Sequence, residues 1–406
     1  MEDCSEVESQ ADGPTRSCAG DSCGKDTRWM CSVCGEGFCD PCWDEHLPQL
    51  LKLNRKHEKV PIELFRRMNR IRERNRRLDG RTADYDRELH SKWFGFVRGD
   101  SSRHLSFGST PRLATVMTEC LTDDCPRKIP SIVSFLGQTG NMKLTWCIGA
   151  GSGKSTVIRM LIESHVEDDS DLSYWASPIC SESGDPRPGT GDVQLFADPS
   201  TNLTPRPMIF ADSEGLDGGE REPRAVLEVN RTNPITTNGN LRPVSAPSSE
   251  IWGRGNCVSD IMPKFLFSLS DTIVFVTKNP RNLHRVVSDK LIPWAHDALP
   301  ARHIKPHLVI LVNAQNSWAD DQMSWEPGTA TRNLLKSLDD GFSEAPHLQD
   351  VAQKVGRTGT ARGPITTIHS LIKVLYASVT CIWLPRTSDY VRMDQQIRAL
   401  YDALHK

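Results

Sequence analysis

The chain lacks long apolar segments. No run of about 18 consecutive apolar residues occurs, so we expect no membrane-spanning helix. Its acidic start, MEDCSEVESQ, lacks the apolar core of a secretory signal. These two absences favour a cytoplasmic protein, with the nucleus as the alternative. Disulfide bonds are not expected in either compartment.

An excess of one charge is also missing. The 406 residues include 49 Lys and Arg against 52 Asp and Glu, so the net charge of −3 indicates neither a polyanionic nor a polycationic partner. We find no internal repeat. The length predicts two or three domains, at least one of them with a sizeable core.

Cysteine is sparse over most of the sequence but abundant near its start, where seven of the 13 precede residue 43. In a reducing compartment, crowded cysteines with nearby histidines indicate a bound metal. Their order favours two interleaved Zn²⁺ sites, with Cys18, Cys23, Cys39 and Cys42 at one ion and Cys31, Cys34, His46 and His57 at the other.

This spacing resembles a B-box-type zinc finger, although the gap before the last histidine is longer here. The resemblance implies a module that binds a protein partner. A segment this small has little core, so zinc binding of roughly 10–16 kcal/mol would supply its folding free energy. Side chains fill all the ligand positions, which indicates structural rather than catalytic zinc.

Composition predicts four regions: a disordered start (1–17), the zinc-binding module (18–60), an arginine-rich helical linker (61–92) and one nucleotide-binding domain (93–406). In the linker, a 4-3-4-3 spacing predicts a coiled-coil seam at Leu64, Met68, Ile71, Asn75 and Leu78. The seam is short, so packing on a neighbouring domain comes first, self-association second and an anionic surface such as RNA or lipid third. Nucleic-acid binding is not expected, because no aromatic residues alternate with the arginines.

From about residue 129, apolar strands alternate with amphipathic helices. The predicted strands are 132–137, 193–198, 207–212, 271–277, 307–313 and 378–384. The predicted helices are 154–165, 258–269, 282–298, 329–338 and 389–405. This alternation predicts an α/β fold with a doubly wound, mostly parallel sheet.

A glycine-rich turn opens the first of these helices. Such a turn directs backbone N–H groups at phosphate oxygens, while its lysine reaches the terminal phosphates and the next serine binds Mg²⁺. We therefore predict a nucleotide site at Gly151, Ser152, Gly153, Lys154, Ser155 and Thr156.

The spacing of this turn is irregular. The phosphate-loop motif GxxxxGK[ST] requires glycine five positions before Gly153, where Ile148 stands. Gly137 and Gly140 would complete the motif as GQTGSGKST if Asn141–Gly151 were absent. We expect this segment to be a retained intron or a gene-model error, and a genuine insertion is the alternative.

A second phosphate-side motif follows the strand at 207–212. Asp212 and Gly215 form D-x-x-G, in which the carboxylate holds Mg²⁺ through water and the glycine N–H contacts the terminal phosphate. Thr190 is the candidate for a magnesium-side switch threonine, with an ordinary loop residue as the alternative. Leu216 stands where a glutamine would orient water, so no catalytic residue is predicted.

These motifs, with SFLGQTG at 134–140 and ADSEGLDGGE at 211–220, resemble the large GTPases of the dynamin and guanylate-binding type. They resemble more closely a group of fungal P-loop G-domain proteins with a zinc-binding N-terminus. The resemblance implies binding and slow hydrolysis of GTP with Mg²⁺, switching the zinc-finger module. After strand 307–313, however, Asn313-Ala-Gln-Asn316 lacks the Asp that selects guanine, although Asn313 is still a candidate base contact. An ATP-using enzyme and a non-enzymatic scaffold with a degenerate site are the alternatives.

Overall fold

The computed structural model describes residues 18–20, 23–32, 34–51, 58–76, 90–98, 105–119, 128–137, 152–165, 175–180, 190–216, 242–243, 253–278, 282–301, 304–313, 324–339, 342, 345–357, 363–385 and 389–406. The chain divides into two compact units. The small unit comprises Met1–Arg72 with Thr387–Asp394, and the large unit comprises Glu73–Arg386 with Gln395–Lys406. The segment 1–17, predicted to be disordered, lies outside the described residues.

The small unit contains a three-stranded antiparallel sheet in the order β2-β1-β3. Its elements are β1 (Trp29–Cys31), β2 (Gly37–Phe38), α1 (Asp40–Leu51), β3 (Lys59–Pro61) and α2 (Ile62–Arg76). Its core cluster consists of Cys18, Cys31, Phe38, Cys39 and Trp43. Three of these five residues are cysteines, so apolar burial alone supplies little stability here.

One face of α2 is buried within the chain. Leu64, Met68 and Ile71, which define the predicted coiled-coil seam, are each less than 10% exposed. In the small unit, Phe65 also packs edge-on against Tyr390, with ring centroids 5.5 Å apart. Since the chain itself covers this seam, a coiled coil with another chain is not supported. The side chains of Asn75 and Leu78 lie outside the described part.

The large unit contains a nine-stranded sheet in the order β12-β11-β10-β6-β8-β7-β4-β5-β9. Its strands are β4 (Lys92–Arg98), β5 (Leu105–Ser109), β6 (Ser131–Gly137), β7 (Val193–Ala197), β8 (Met208–Ser213), β9 (Arg242–Pro243), β10 (Thr272–Thr277), β11 (His307–Asn313) and β12 (Ser378–Leu384). The five strands from β12 to β8 are parallel, and their interiors are continuous apolar runs because both faces of the sheet are buried. The α/β class is confirmed, and all six predicted strands are present.

The other four strands extend the sheet in antiparallel fashion. The sequence predicted β7 as part of a mostly parallel sheet, but only ten residues separate it from β8, too few for a helical crossover. Strands β4 and β5 were not predicted. Each contains a glycine directly after a phenylalanine, at Gly95 and Gly108, which weakens the strand pattern.

Helices connect and flank these strands. They are α3 (Arg112–Glu119), α4 (Lys154–Ser164), α5 (Arg254–Asn256, continued by Cys257–Ile261 and Met262–Leu269), α6 (Leu283–Val286, continued by Val287–Leu291 and Ile292–Ala298), α7 (Pro327–Asp339), α8 (Pro346–Arg357), α9 (Ile368–Leu375) and α10 (Tyr390–Leu404). The sequence did not predict α3, α8 and α9. No helix within the described ranges is long and apolar enough to span a membrane.

The topology determines where a ligand site can form. The parallel strands β6, β8, β10 and β11 are adjacent, so their carboxyl ends lie along one edge of the sheet. In open α/β sheets this edge is where ligands bind, because the loops that leave the strands converge there. Gly137, Asp212 and Asn313, three of the predicted site residues, lie at the ends of these strands.

Candidate phosphate and metal sites

The predicted phosphate turn lies at the start of α4. Gly153 caps the helix with a φ of 93°, a left-handed conformation that glycine adopts at little cost. The helix begins at Lys154, so the first N–H groups of α4 and the positive end of its dipole face the carboxyl edge of the sheet. The turn at Gly153 therefore leaves the first N–H groups of α4 without helical partners at this edge.

The two described ends of the interrupted loop are adjacent. A Cβ built on Gly137 would lie 2.6 Å from Ser152 Oγ and 2.4 Å from the Val276 carbonyl oxygen. Only glycine fits at this close approach, as in phosphate loops. Gly140, Gly151 and the segment 141–151 lie outside the described residues.

Three predicted magnesium-side residues converge in the large unit. Ser155 Oγ lies 2.7 Å from Asp212 Oδ2 and 3.0 Å from Thr190 Oγ1. Thr190 Oγ1 also donates to Asp212 Oδ2 at 3.0 Å. These residues come from α4, from the loop before β7 and from the end of β8, so the fold brings together groups that are distant in sequence.

Lys154 and Asp212 are both buried beside each other's charge. Burial lowers the pKa of Lys154, and the carboxylates of Asp212 and Glu214 oppose this only in part. Burial likewise raises the pKa of Asp212, and Lys154 with the two hydroxyls opposes that shift. The charge of Lys154 is therefore only partly balanced by nearby negative charge, and the charge of Asp212 only partly by nearby positive charge.

A magnesium ion fits the donors at this position. Asp212 Oδ1 is buried and has no hydrogen-bond partner among the described residues. Such an orphaned carboxylate oxygen is costly unless a cation or an ordered water contacts it. Hydroxyl and carboxylate oxygens are also the ligands that Mg²⁺ prefers, with several of its waters retained. Ser155, Thr190 and Asp212 would hold the ion directly or through those waters.

The remaining predicted residues surround this centre. Asn313 Nδ2 donates to the Ser152 carbonyl at 3.1 Å, so the described contact of this side chain is with the loop backbone. Ser152 Oγ is buried and has no partner among the described residues. Thr156 Oγ1 donates to Cys180 Sγ at 3.5 Å, and Gly215 is buried directly after Glu214.

A group of buried charges that was not predicted from the sequence lies next to this site. Arg254 forms ion pairs with both Asp192 and Glu214, and Lys92 forms one with Asp192. Arg254 follows a long polar segment that belongs to no motif, so its pattern carried no signal. Glu214 lies within the predicted D-x-x-G motif, where a buried acid between Asp212 and Gly215 was the available clue.

In the small unit, Cys18, Cys23, Cys39 and Cys42 form one group whose ligand atoms lie within 4.8 Å of one another. The predicted ligand set of the first zinc site is thus brought together. The neighbouring thiols of Cys23, Cys39 and Cys18 raise the pKa of Cys42. A divalent cation would reverse that shift by stabilising thiolates, and four sulfur ligands suit Zn²⁺.

Cys31, Cys34 and His46 form a second group within the same distance limit. Cys34 Sγ lies 3.6 Å from His46 Nε2, and the ring of His46 stacks on Phe38 at 4.2 Å. Gly35, with a φ of 73°, makes the turn that brings Cys34 back towards Cys31. The fourth predicted ligand, His57, lies outside the described residues. Both groups could hold a zinc ion.

No family model matches the chain, and no curated protein is matched to it. A function for the chain therefore has to be inferred from the geometry of the two sites.

Proposed function

We propose that the large unit binds a nucleoside triphosphate with Mg²⁺ in the manner of a P-loop G-domain, and that GTP is the nucleotide. The observation that carries this proposal is the meeting of Ser155, Thr190 and Asp212 beside buried Lys154 and the start of α4. A helix N-terminus, an ammonium group and a cation-binding cluster are the three parts that a triphosphate needs.

Each residue has a role that follows from its position. Lys154 would stabilise the charge of the terminal phosphates, because it is a buried cation whose own compensation is incomplete. Ser155, Asp212 and Thr190 would hold the magnesium ion, which supplies charge neutralisation between the phosphates. Gly153 and Ser152 would direct N–H groups at the same oxygens. Slow hydrolysis is the proposed outcome, since no side chain is predicted to orient the attacking water.

The choice between GTP and ATP depends on the end of β11. The resemblance to G-domains favours GTP, and Asn313 occupies the first position of the base-reading motif in that interpretation. The missing Asp after Asn313 favours the second candidate, an ATP-using P-loop enzyme. In the third, a non-enzymatic scaffold, the interrupted loop has lost triphosphate binding.

The small unit is proposed to be a zinc-bound interaction module. Two sets of ligands within residues 18–46, in a unit with a small apolar core, support structural zinc. Nucleotide turnover in the large unit would then switch the availability of this module to a protein partner.

Titration of the purified full-length chain tests these assignments. GTP and ATP are titrated separately with Mg²⁺, and phosphate release is followed with each. Tighter GTP binding with slow release supports the proposal, and preference for ATP supports the second candidate. Absence of binding to both nucleotides supports the scaffold and overturns the proposal.

A further inference from the structure

Four charged side chains form a compact cluster beside the proposed phosphate site. Asp192 and Glu214 are almost fully buried, at 3% and 1% exposure, and each would be costly to bury without a cation. Lys92, at the start of β4, and Arg254, at the start of α5, supply the two positive charges. This charge clamp, as we call these four residues, is therefore balanced within itself.

Arg254 is the member that joins the two carboxylates. Its Nη1 donates to Glu214 Oε1 at 2.8 Å, while its Nη2 contacts Glu214 Oε2 and lies 3.2 Å from Asp192 Oδ1. A planar guanidinium can make these contacts at once, because its N–H groups have a fixed fork geometry. Lys92 Nζ contacts the other oxygen of Asp192 at 2.7 Å.

The backbone reinforces the same junction. Asp192 N donates to Glu214 Oε2 at 3.1 Å, and Glu214 N donates to the Asp192 carbonyl at 2.8 Å. Asp192 also has a φ of 59°, a conformation that non-glycine residues seldom adopt and that surrounding contacts must maintain. These bonds tie the loop before β7 to the segment after β8.

The clamp leaves no room for a side chain at Gly95, in the middle of β4. A Cβ built on Gly95 would lie 2.0 Å from Asp192 Cγ and 2.3 Å from both carboxylate oxygens. Phe96 N donates to Asp192 Oδ1 at 3.1 Å. Strand β4 therefore hydrogen-bonds the carboxylate through Phe96 and leaves space for it at Gly95.

Two clamp residues lie close in sequence to the proposed magnesium-side residues. Asp192 lies two residues after Thr190, and Glu214 lies two residues after Asp212. We infer that Arg254 is a positioning residue, which holds these two segments together so that Thr190 and Asp212 meet Ser155 before any ligand binds. This inference rests on the proposed function, since the groups it positions are the magnesium-side groups of that site.

Removal of Arg254 should separate the two segments. Asp192 and Glu214 are both almost fully buried, and the guanidinium of Arg254 is the cation that contacts both of them. Without it, two buried carboxylates would face each other, and their repulsion would push the two segments apart. Lys154 and the start of α4 are not part of the clamp, so contacts with the phosphates themselves should persist.

The first measurement needs no nucleotide. Hydrogen exchange of the full chain is compared for wild type, Arg254→Met and Arg254→Lys, with Arg285→Met as a control that removes an exposed ion pair. We expect Arg254→Met to speed exchange at least about tenfold in peptides covering 190–198 and 208–216, with β11 unchanged. Arg254→Lys should give an intermediate effect, because it keeps the charge but loses the fork.

The second measurement separates positioning from general stability. GTP is titrated with Mg²⁺ and, separately, with EDTA. We expect Arg254→Met to weaken binding about tenfold with Mg²⁺ and less than about twofold with EDTA, because only the magnesium-side groups are displaced. Gly95→Ala should cause the same split by pushing Asp192 away from the other side, which keeps the test available if Arg254→Met does not fold.

The possible results are distinct. Unchanged exchange in both segments, or equal losses with Mg²⁺ and EDTA, would overturn the inference. Faster exchange in Arg254→Met together with no nucleotide binding by the wild type would overturn the proposed function instead, and would leave the clamp as a structural junction only.

Discussion

The two candidate sites are assembled in opposite ways. In the small unit, the seven described ligands lie between residues 18 and 46, and short turns such as the one at Gly35 bring them together. At the sheet edge, the residues come from positions between Gly137 and Asn313, and five parallel strands place them side by side. The first site is local in sequence, whereas the second exists only in the folded sheet.

This difference predicts different sources of stability. Around the cysteine groups there are few buried apolar side chains, so the metal itself must contribute much of the folding free energy. In the large unit, strands β6, β8, β10 and β11 are buried almost throughout. Each fully buried aliphatic or aromatic side chain contributes about 1.5–3 kcal/mol, so the sheet edge is formed without a ligand. Ligand removal should therefore unfold one unit and leave the other intact.

Zinc removal should have the largest effect. We expect about two zinc ions per chain and, on chelation or in Cys34→Ala, loss of structure in residues 18–60, because roughly 10–16 kcal/mol of metal-binding free energy supports a small core. Cys34 is exposed, so its loss removes little packing. The measurements are metal analysis and limited proteolysis, with Cys4→Ala as the control. Metal-free protein with a protease-resistant N-terminal region would contradict the prediction, as would altered nucleotide affinity in Cys34→Ala.

Lys154→Ala should have the opposite effect, weakening the site in the large unit and leaving the small unit unchanged. The small unit should keep its zinc, while triphosphate binding weakens by roughly 2–3 kcal/mol, the range for charge-assisted hydrogen bonds. Calorimetric titration with Mg²⁺ present measures the change. Lys264→Ala is the matched control, because that lysine pairs with Asp260 and Asp297 on the helices α5 and α6. Equal affinity of wild type and Lys154→Ala would place the phosphate site elsewhere.

Deletion of Asn141–Gly151 should increase the affinity of the sheet-edge site for a triphosphate without affecting the cysteine groups. It joins Gly140 to Ser152 and so restores GQTGSGKST. Gly137 and Ser152 already lie next to each other. We expect triphosphate binding at least about tenfold tighter, or roughly 1.4 kcal/mol, because a continuous loop preorganises its N–H groups. The titration is run beside the undeleted chain.

The matched control is the deleted chain with Lys154→Ala added, in which the tighter triphosphate binding should be lost. Equal or weaker binding by the deleted chain would mean that the segment is a working part of the loop.

The smallest expected effect concerns acid. Acid should release zinc from the small unit, because its ligands must be deprotonated, whereas the large unit should respond weakly. Burial lowers the pKa of His307, so protonation is disfavoured in the folded state and stability is lost as the pH falls through 6.5. His307 is only partly buried, so solvent screens the effect and the loss should be at most about a few tenths of a kcal/mol.

His307→Gln tests this last prediction, because an amide can keep the contact that His307 Nδ1 makes with Ser378 Oγ at 2.7 Å. The difference in melting temperature between variant and wild type should favour the variant more at pH 5 than at pH 8. A difference independent of pH would show that the titration of His307 does not matter for stability.

Features that depend on local patterns could be predicted from the sequence, whereas features that depend on long-range contacts could not. The six predicted strands were found because continuous apolar runs record burial on both faces. The direction of β7 and the existence of β4 and β5 were missed, since strand pairing depends on connections and partners that a local pattern does not contain. The predicted seam of α2 was a real apolar face, but what covers a face is decided by the rest of the chain.

For the sites, the sequence by itself determined the chemistry: which cysteines and histidines lie close enough to share metals, and which glycine, lysine and serine open α4. Short spacing limits where such groups can go, so their meeting needs little else. Only the tertiary structure decided that Thr190 reaches Asp212, that Asn313 binds the loop, and that Arg254 joins Asp192 to Glu214. These contacts span 22 to 161 residues, and they form because burial of the sheet fixes the strand order that brings their ends together.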